Sequence, residues 1–418
     1  MIGAGDRIKG DNDRRKRAHL DIPLILITYA LVVFGIYSIA VATFNPDKGT
    51  DLSVLNYILN SSYASSQLLF ALVSALEMGI IIAVPYELIR SRCGIAYSAV
   101  VALLVIALGA ESIAGINAFI PIGSGRTIQP AEFIKIGIIL MLARTLADDT
   151  PFSSVQNGLR ILVIFGLPAL LTLAEGETGS VLVMGVIFFV MILFSNAKAI
   201  WPLSIMTLAI AGLGTLFGYA LLSGSTDYRL MRLLSFLDPQ AYYNSAGYQI
   251  LQSQMAIGSG GTLGIGTFVP GSLSQLNYVP EDWTDFIFAT IGEAFGFVGC
   301  LALILTYLLL LMRLIYLARN TTDDFGRLVI YGVAGMMFAH IAENIGMTLG
   351  CMPITGIPLP FVSYGGSSLI TNIAGISIAL NVVRNRSSAS VNNSAGKYNK
   401  KRKKRQRIRK KDAVATTE

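Results

Sequence analysis

Charge is scarce in this chain. Of 418 residues, 14% are Asp, Glu, Lys or Arg, against 53% hydrophobic residues and a mean hydropathy of +0.62. Soluble domains carry about 25% charged residues, so the polar surface that a water-soluble fold needs is missing. The same shortage excludes a disordered protein. Cysteine is scarce too. Cys93, Cys300 and Cys351 are scattered without C-x-x-C spacing, which excludes a disulfide scaffold and gives no zinc or redox signal. The only two histidines, His19 and His340, lie at the edge of and midway along expected membrane spans. An outward-facing His triad or His-rich metal site is thereby excluded, and proton transfer on that face falls to carboxylates. No Gly-Lys-Ser/Thr follows the glycines at 258–266, so they do not form a phosphate-binding P-loop. No internal repeat is evident.

What is present are apolar runs sized for a bilayer, whose core of about 30 Å takes about 20 residues per helix. Ten runs qualify, near 22–43, 66–86, 96–111, 129–146, 158–173, 178–195, 200–222, 285–312, 328–349 and 367–383. The expected fold is all-α and polytopic, with about ten transmembrane helices. Basic residues concentrate at the ends: net charge is +3 over residues 1–18, +11 over 384–418 and −7 between them. The overall +7 therefore does not indicate nucleic acid. By the positive-inside bias, Arg14–Arg17, Arg90 and Arg92, Arg144 and Arg160, Lys198, and Arg313, Arg319 and Arg327 share the cytoplasmic side. Both termini are then cytoplasmic, with a basic N-terminus (1–20), a ten-span domain (21–383) and a disordered basic tail (384–418). The tail suits anionic lipid, and retention on the positive side explains it equally well.

Two outer segments are irregular. Residues 223–284 form one long extracytoplasmic loop, of the kind that usually carries function. Residues 351–368, CMPITGIPLPFVSYGGSS, hold three prolines and three glycines that forbid a regular helix. Such backbone at membrane depth needs protein or a water-filled cavity beside it, so a re-entrant loop is expected. The carboxylates available outside are Glu175, Glu177, Glu281, Asp282 and Asp285. Asp285 follows Thr284, a candidate cap for the next helix, with Glu281 one turn earlier. From the residues alone Asp285 is either a complement to the helix dipole or a reactive carboxylate. Within spans, Glu132 and Lys135 lie three apart and can pair. Glu77, Glu293 and Glu343 are further intramembrane carboxylates. These groups either fix helix register or line a polar cavity.

Four motifs carry a resemblance: QPAEFIK (129–135), GYQILQSQMAIGSGG (247–261), VPEDWTDFIFATIGEAFGFVG (279–299) and NIGMTLGCMPITGIPLPFVSYGGSS (344–368). In order and spacing, over roughly residues 20–385, they resemble the shape, elongation, division and sporulation (SEDS) family, to which RodA and FtsW belong. The resemblance implies a ten-span peptidoglycan glycosyltransferase of the bacterial plasma membrane. It would join lipid II units into glycan strands on the outer face, beside a class B penicillin-binding protein acting as transpeptidase. It puts the family's essential aspartate on Asp285 and the Gln-Pro-Ser-Glu motif on Gln129, Pro130, Ala131 and Glu132, with Lys135 as partner. Arg229, Arg232, Gln252, Ser253, Ser363, Gly365 and Gly366 become substrate-binding candidates. No metal ligand is assigned.

The chemistry agrees with that reading. A diphosphate is a good leaving group and needs cations more than an acid, whereas the acceptor hydroxyl needs a base, worth about 10²–10⁴ in rate. Asp285 as base, with Arg229, Arg232 or a divalent cation such as Mg or Mn near the diphosphate, is the simplest arrangement. One base without a covalent intermediate implies inversion at the anomeric carbon.

The chain departs from the family at Ala118 and Phe119 (usually Arg-Trp) and at Glu175-Gly176-Glu177 (usually Gln-Pro-Asp). It departs again at Gly264-Ile265-Gly266 (usually Gly-Lys-Gly) and at Trp283 (usually His). Two other functions share the broad features: a transporter of lipid-linked precursor, and a non-catalytic scaffold for a transpeptidase.

Overall fold

A computed structural model describes residues 20–45, 54–109, 118–123, 126–147, 151–152, 154–223, 228–244 and 246–385. The N-terminal basic cluster and nearly all of the basic tail lie outside these residues. Thirteen helices and one hairpin are found among them. They are α1 (Ile22–Ala42), α2 (Val54–Asn60), α3 (Ser62–Ala83), α4 (Tyr86–Leu108), β1 (Ile120–Gly123), β2 (Arg126–Ile128), α5 (Pro130–Leu146), α6 (Val155–Glu175), α7 (Thr178–Leu193) and α8 (Ile200–Ser223). The series continues with α9 (Tyr228–Leu237), α10 (Ala246–Ser259), α11 (Ile287–Arg319), α12 (Asp324–Thr348) and α13 (Gly366–Asn385). The all-α expectation holds apart from β1 and β2, which pair antiparallel and lead the chain into α5.

Seven helices (α1, α3, α4, α6, α11, α12, α13) are long and apolar enough to cross a membrane. α7 and the Ile200–Gly212 part of α8 are shorter apolar helices. α5 has 17 residues and carries Glu132, Lys135 and Arg144. Burial sorts the layers. Within their apolar windows α12 is 83% and α13 78% buried, whereas α4 is 17% buried. The former two are therefore the centre of the bundle, and the bare Leu, Ile and Val faces of α3, α4 and α6 are its lipid-facing wall.

Helix ends follow local chemistry. Asp21 caps α1 by accepting from the Leu24 N–H (3.0 Å), with Pro23 in the first turn. Asp323 caps α12 through Gly326 N–H (2.9 Å), and Gly176 closes α6 with left-handed backbone (φ 98°).

Several boundaries differ from the sequence expectation. Pro85 ends α3, and α4 begins directly at Tyr86 rather than near 96, so Arg90 and Arg92 sit on a helix and not in a loop. Arg144, Arg160, Arg313, Arg319 and Arg327 are likewise on helices. Thr284 does not cap α11. The N-cap is Phe286, with no side-chain bond, and the Thr284 hydroxyl turns back to Glu281 instead.

One end of the bundle is tied by these ions. Arg313 grips Asp21 through two bonds (3.0 and 2.7 Å), and Arg90 and Tyr86 meet Asp323. Asn381 Nδ2 and Arg384 take the orphan carbonyls at the end of α3, at 2.7 Å (Val84) and 2.9 Å (Ile82).

At the other end α11 is broken. Gly296 has φ 64° and ψ −163°, which interrupts its helical bonds. The segment 261–266 fills the gap. Ile265 and Gly266 N–H groups donate to the carbonyls of Glu293 and Ala294 (3.0 and 3.1 Å). The N–H groups of Phe297 and Val298 donate to Gly261 and Thr262 (2.9 and 3.1 Å). A Cβ on Gly264 (φ +84°) would stand 2.1 Å from the Ala294 carbonyl oxygen. Gly260 and Gly264 thus serve close backbone approach inside the fold, where a Cβ would stand 2.0 and 2.1 Å from the Gly292 and Ala294 carbonyl oxygens.

Candidate active site

Asp285 lies in a run of turns between this broken-helix junction and α11. Three consecutive carbonyls fix it. The Tyr364 N–H donates to Trp283 O (2.9 Å), the Ser363 hydroxyl to Thr284 O (2.6 Å), and the Asn344 amide to Asp285 O (2.7 Å). Asn344 is fully buried in α12 and also donates to Ile357 O (2.8 Å), so one side chain joins the aspartate to the Pro/Gly segment. Gln67 of α3 closes the clamp from behind, donating to Ser363 O and accepting from Gly365 N–H (3.1 and 3.2 Å).

The Pro/Gly segment enters the bundle as expected of a re-entrant loop. Ile357, Leu359, Phe361 and Val362 are buried, Pro360 O accepts from Tyr307 midway along α11 (2.6 Å), and Val362 packs where only Gly35 of α1 leaves room. Gly356, at φ +73°, passes so close that a Cβ would stand 3.3 Å from Asp285 Oδ2.

The Asp285 side chain is half-buried among charged neighbours. Burial and then the charge of Glu281 push its pKa up to about 7, with Glu177 adding to the rise and the Arg232 guanidinium opposing it. Asp282 is fully buried, and burial holds it well above the usual carboxylate range.

A polar row runs inward from Asp285. Glu177, at the start of α7, accepts from Gln129 and from the Ser180 hydroxyl (3.0 Å). Its pKa is raised, first by burial and then by Glu132. The Gln129 N–H donates to Ser367 Oγ (3.2 Å). Glu132 and Lys135 form the expected pair at 2.6 Å, both buried. His340 is a third member that spacing did not reveal. Its Nε2 stands 2.9 Å from Lys135 Nζ, so with lysine as donor the ring proton sits on Nδ1, which is buried without a partner.

The other candidates divide. Arg232 comes within electrostatic reach of Asp285, and the Arg229 side chain lies outside what is described. Ser363, Gly365 and Gly366 belong to the clamp, where Gly366 packs on Phe70. Ser253 does not face the mouth: its hydroxyl donates to Thr348 O (2.8 Å), and Gln252 is buried beside it. Glu293 is held by Leu273 N–H and by the Ser274 N–H and hydroxyl (2.6, 3.0 and 2.6 Å), which bind the outer loop to α11. Glu343 accepts from the Thr355 hydroxyl (3.0 Å). Sequence reasoning missed His340, Asn344 and Gln67. The last two carried one signal, an uncharged amide inside an apolar helix. Among the described residues no three His, Cys, Asp or Glu side chains converge as a metal cage.

A clamped carboxylate between helices of a membrane bundle, with a buried Glu–Lys–His row further in, defines the class. Comparison with known proteins gives the family. Residues 21–388 match the FtsW/RodA/SpoVE family of cell cycle proteins, and the chain belongs to it. It is 33% identical over 379 residues to peptidoglycan glycosyltransferase MrdB of Escherichia coli, covering 89% of this chain and 96% of that protein. It is 32% identical over 382 residues to stage V sporulation protein E of Bacillus subtilis, covering 88% and 98%. A solved structure described as the structural coordination of polymerization and crosslinking by a peptidoglycan synthase complex superposes with a TM-score of 0.71 at 27% identity, covering 88% of this chain and 98% of that one.

Proposed function

We propose that this chain is a peptidoglycan glycosyltransferase that lengthens glycan strands from lipid II at the outer face of the bacterial plasma membrane, in elongation, division or sporulation. Asp285 is the general base. The acceptor sugar hydroxyl attacks the anomeric carbon of the donor, the bond from that carbon to the diphosphate oxygen breaks, and the hydroxyl proton passes to Asp285. One displacement inverts the anomeric carbon. Arg232 meets the charge left on the diphosphate, and a divalent ion arriving with that diphosphate counts as substrate.

The single observation that carries this reading is a half-buried carboxylate held by three successive backbone anchors, with Glu281 and Arg232 within electrostatic reach. The protein spans the bilayer ten times with both termini cytoplasmic, on the side of the Arg90, Arg313 and Arg384 cluster. Its partner is a class B penicillin-binding protein. What supports this is the likeness to a complex described as coordinating polymerization and crosslinking.

The test is purified protein in nanodiscs supplied with lipid II, with and without the transpeptidase; strands lengthen if the reading is right. One observation favours transport instead: the Glu132–Lys135–His340 row puts charge at membrane depth. Vesicle transport of lipid II without lengthening would replace the first reading by the second.

A further inference from the structure

Three aromatic rings stand beside the clamp and take no part in the proton step. Tyr63, at the start of α3, faces Trp283 with ring centroids 5.2 Å apart and planes 31° from parallel. Tyr364 meets Tyr63 edge-on, also at 5.2 Å (88°). Trp283 is two residues from Asp285, and its carbonyl is one of the three clamp anchors, bonded by Tyr364 itself. The cluster is therefore positioned by the same bonds that position the base. It is not sealed. Tyr63 is 38% exposed, Trp283 and Tyr364 are half-buried, and the exposed Glu281, two residues before Trp283, is oriented by the Thr284 hydroxyl (3.0 Å).

A cluster of tilted and edge-on aromatic rings, one of them exposed, beside a fixed carboxylate is chemically matched to a sugar. One face of a pyranose is a sheet of C–H groups that rests on the negative face of an aromatic ring, while its rim of hydroxyls needs acceptors.

We propose that Tyr63, Trp283 and Tyr364 form a saccharide platform that seats an N-acetylhexosamine ring of the glycan strand next to Asp285, with Glu281 accepting from its hydroxyls. This rests on the reaction proposed above. The platform fixes which ring of the strand is presented to the base, and it explains why an indole occupies position 283.

The composition provides the probe. The chain has two tryptophans, and Trp201 lies at the far end of the bundle, stacked on Phe152 (4.3 Å, 17°). In a Trp201→Phe protein, Trp283 is the sole indole. Titrating that protein in nanodiscs with a soluble β-1,4-linked N-acetylhexosamine tetrasaccharide should give a saturable change in Trp283 emission. Adding Tyr63→Ala should raise the half-saturating concentration about tenfold.

No substitution touches the platform in the first titration, so a folding defect at Trp283 cannot mimic the result. The platform is overturned if emission ignores the tetrasaccharide, including the case in which it responds only to bilayer thickness, as an interfacial anchor would. Should the wild type fail to lengthen lipid II while the tetrasaccharide still shifts the emission, the platform stands and the reaction assigned to it fails.

Discussion

Replacing Asn344 with Leu tests whether the clamp serves the chemistry or only the fold. The side chain is fully buried, and its amide nitrogen serves two carbonyls, Asp285 O at 2.7 Å and Ile357 O at 2.8 Å. Leucine fills nearly the same volume and leaves both acceptors unpaired, at about 1–3 kcal/mol each. Part of that loss is offset, because Asn344 Oδ1 has no partner and its removal lifts one buried orphan. The net destabilisation should come to about 1–4 kcal/mol, below the simple sum for two lost bonds. The catalytic effect should be larger than that figure suggests. Asp285 keeps its side chain but loses the bond on its own carbonyl, and a displacement of about 1 Å can cost about 10²-fold in rate. The assay is strand lengthening from lipid II in nanodiscs, with thermal unfolding followed on the same preparation. A lower melting temperature with an unchanged turnover rate would refute the positioning argument. If neither quantity changes, the two hydrogen bonds do not form.

Other perturbations follow from the same geometry. Because Asp285 is raised to about 7, its base form is lost as pH falls through that value. The pH–rate profile should therefore show an acid limb near pH 7, falling tenfold per unit below it, moved upward by Arg232→Gln and downward by Glu281→Gln. Gly264→Ala forces a side chain into backbone at φ +84° and against the Ala294 carbonyl, so thermal unfolding should show a loss of about 2 kcal/mol or more. Lys135→Met strands Glu132 in the bundle and should cost about 3–5 kcal/mol. The double variant Lys135→Met/Glu132→Leu should recover much of that in a melting experiment, and failure to recover would show that the pair is not coupled.

Much of this was legible from residue order because it is local. Glu132 and Lys135 announce their pairing by a spacing of three, and the Pro/Gly run at 351–368 announces irregular backbone that must be sheltered. What the chain order hides is contact at long range. His340 is 205 residues from Lys135, and nothing in its apolar helix says which neighbour it faces. The glycines at 261–266 do not announce in sequence that this segment fills a break in α11 at Gly296. Ser253 resembles a substrate contact by motif, but its hydroxyl donates to Thr348 O, and a serine in sequence looks the same in either role. In sequence Arg90 and Arg92 read as loop, whereas α4 already starts at Tyr86. At a helix end such side chains reach the interface while their backbone stays helical.

The most direct measurement of the central claim is strand lengthening by Asp285→Ala in purified, folded protein. Asp285 as base predicts that lengthening from lipid II is lost by about 10² or more while the melting temperature stays close to wild type. A variant that still lengthens strands at the wild-type rate would contradict it.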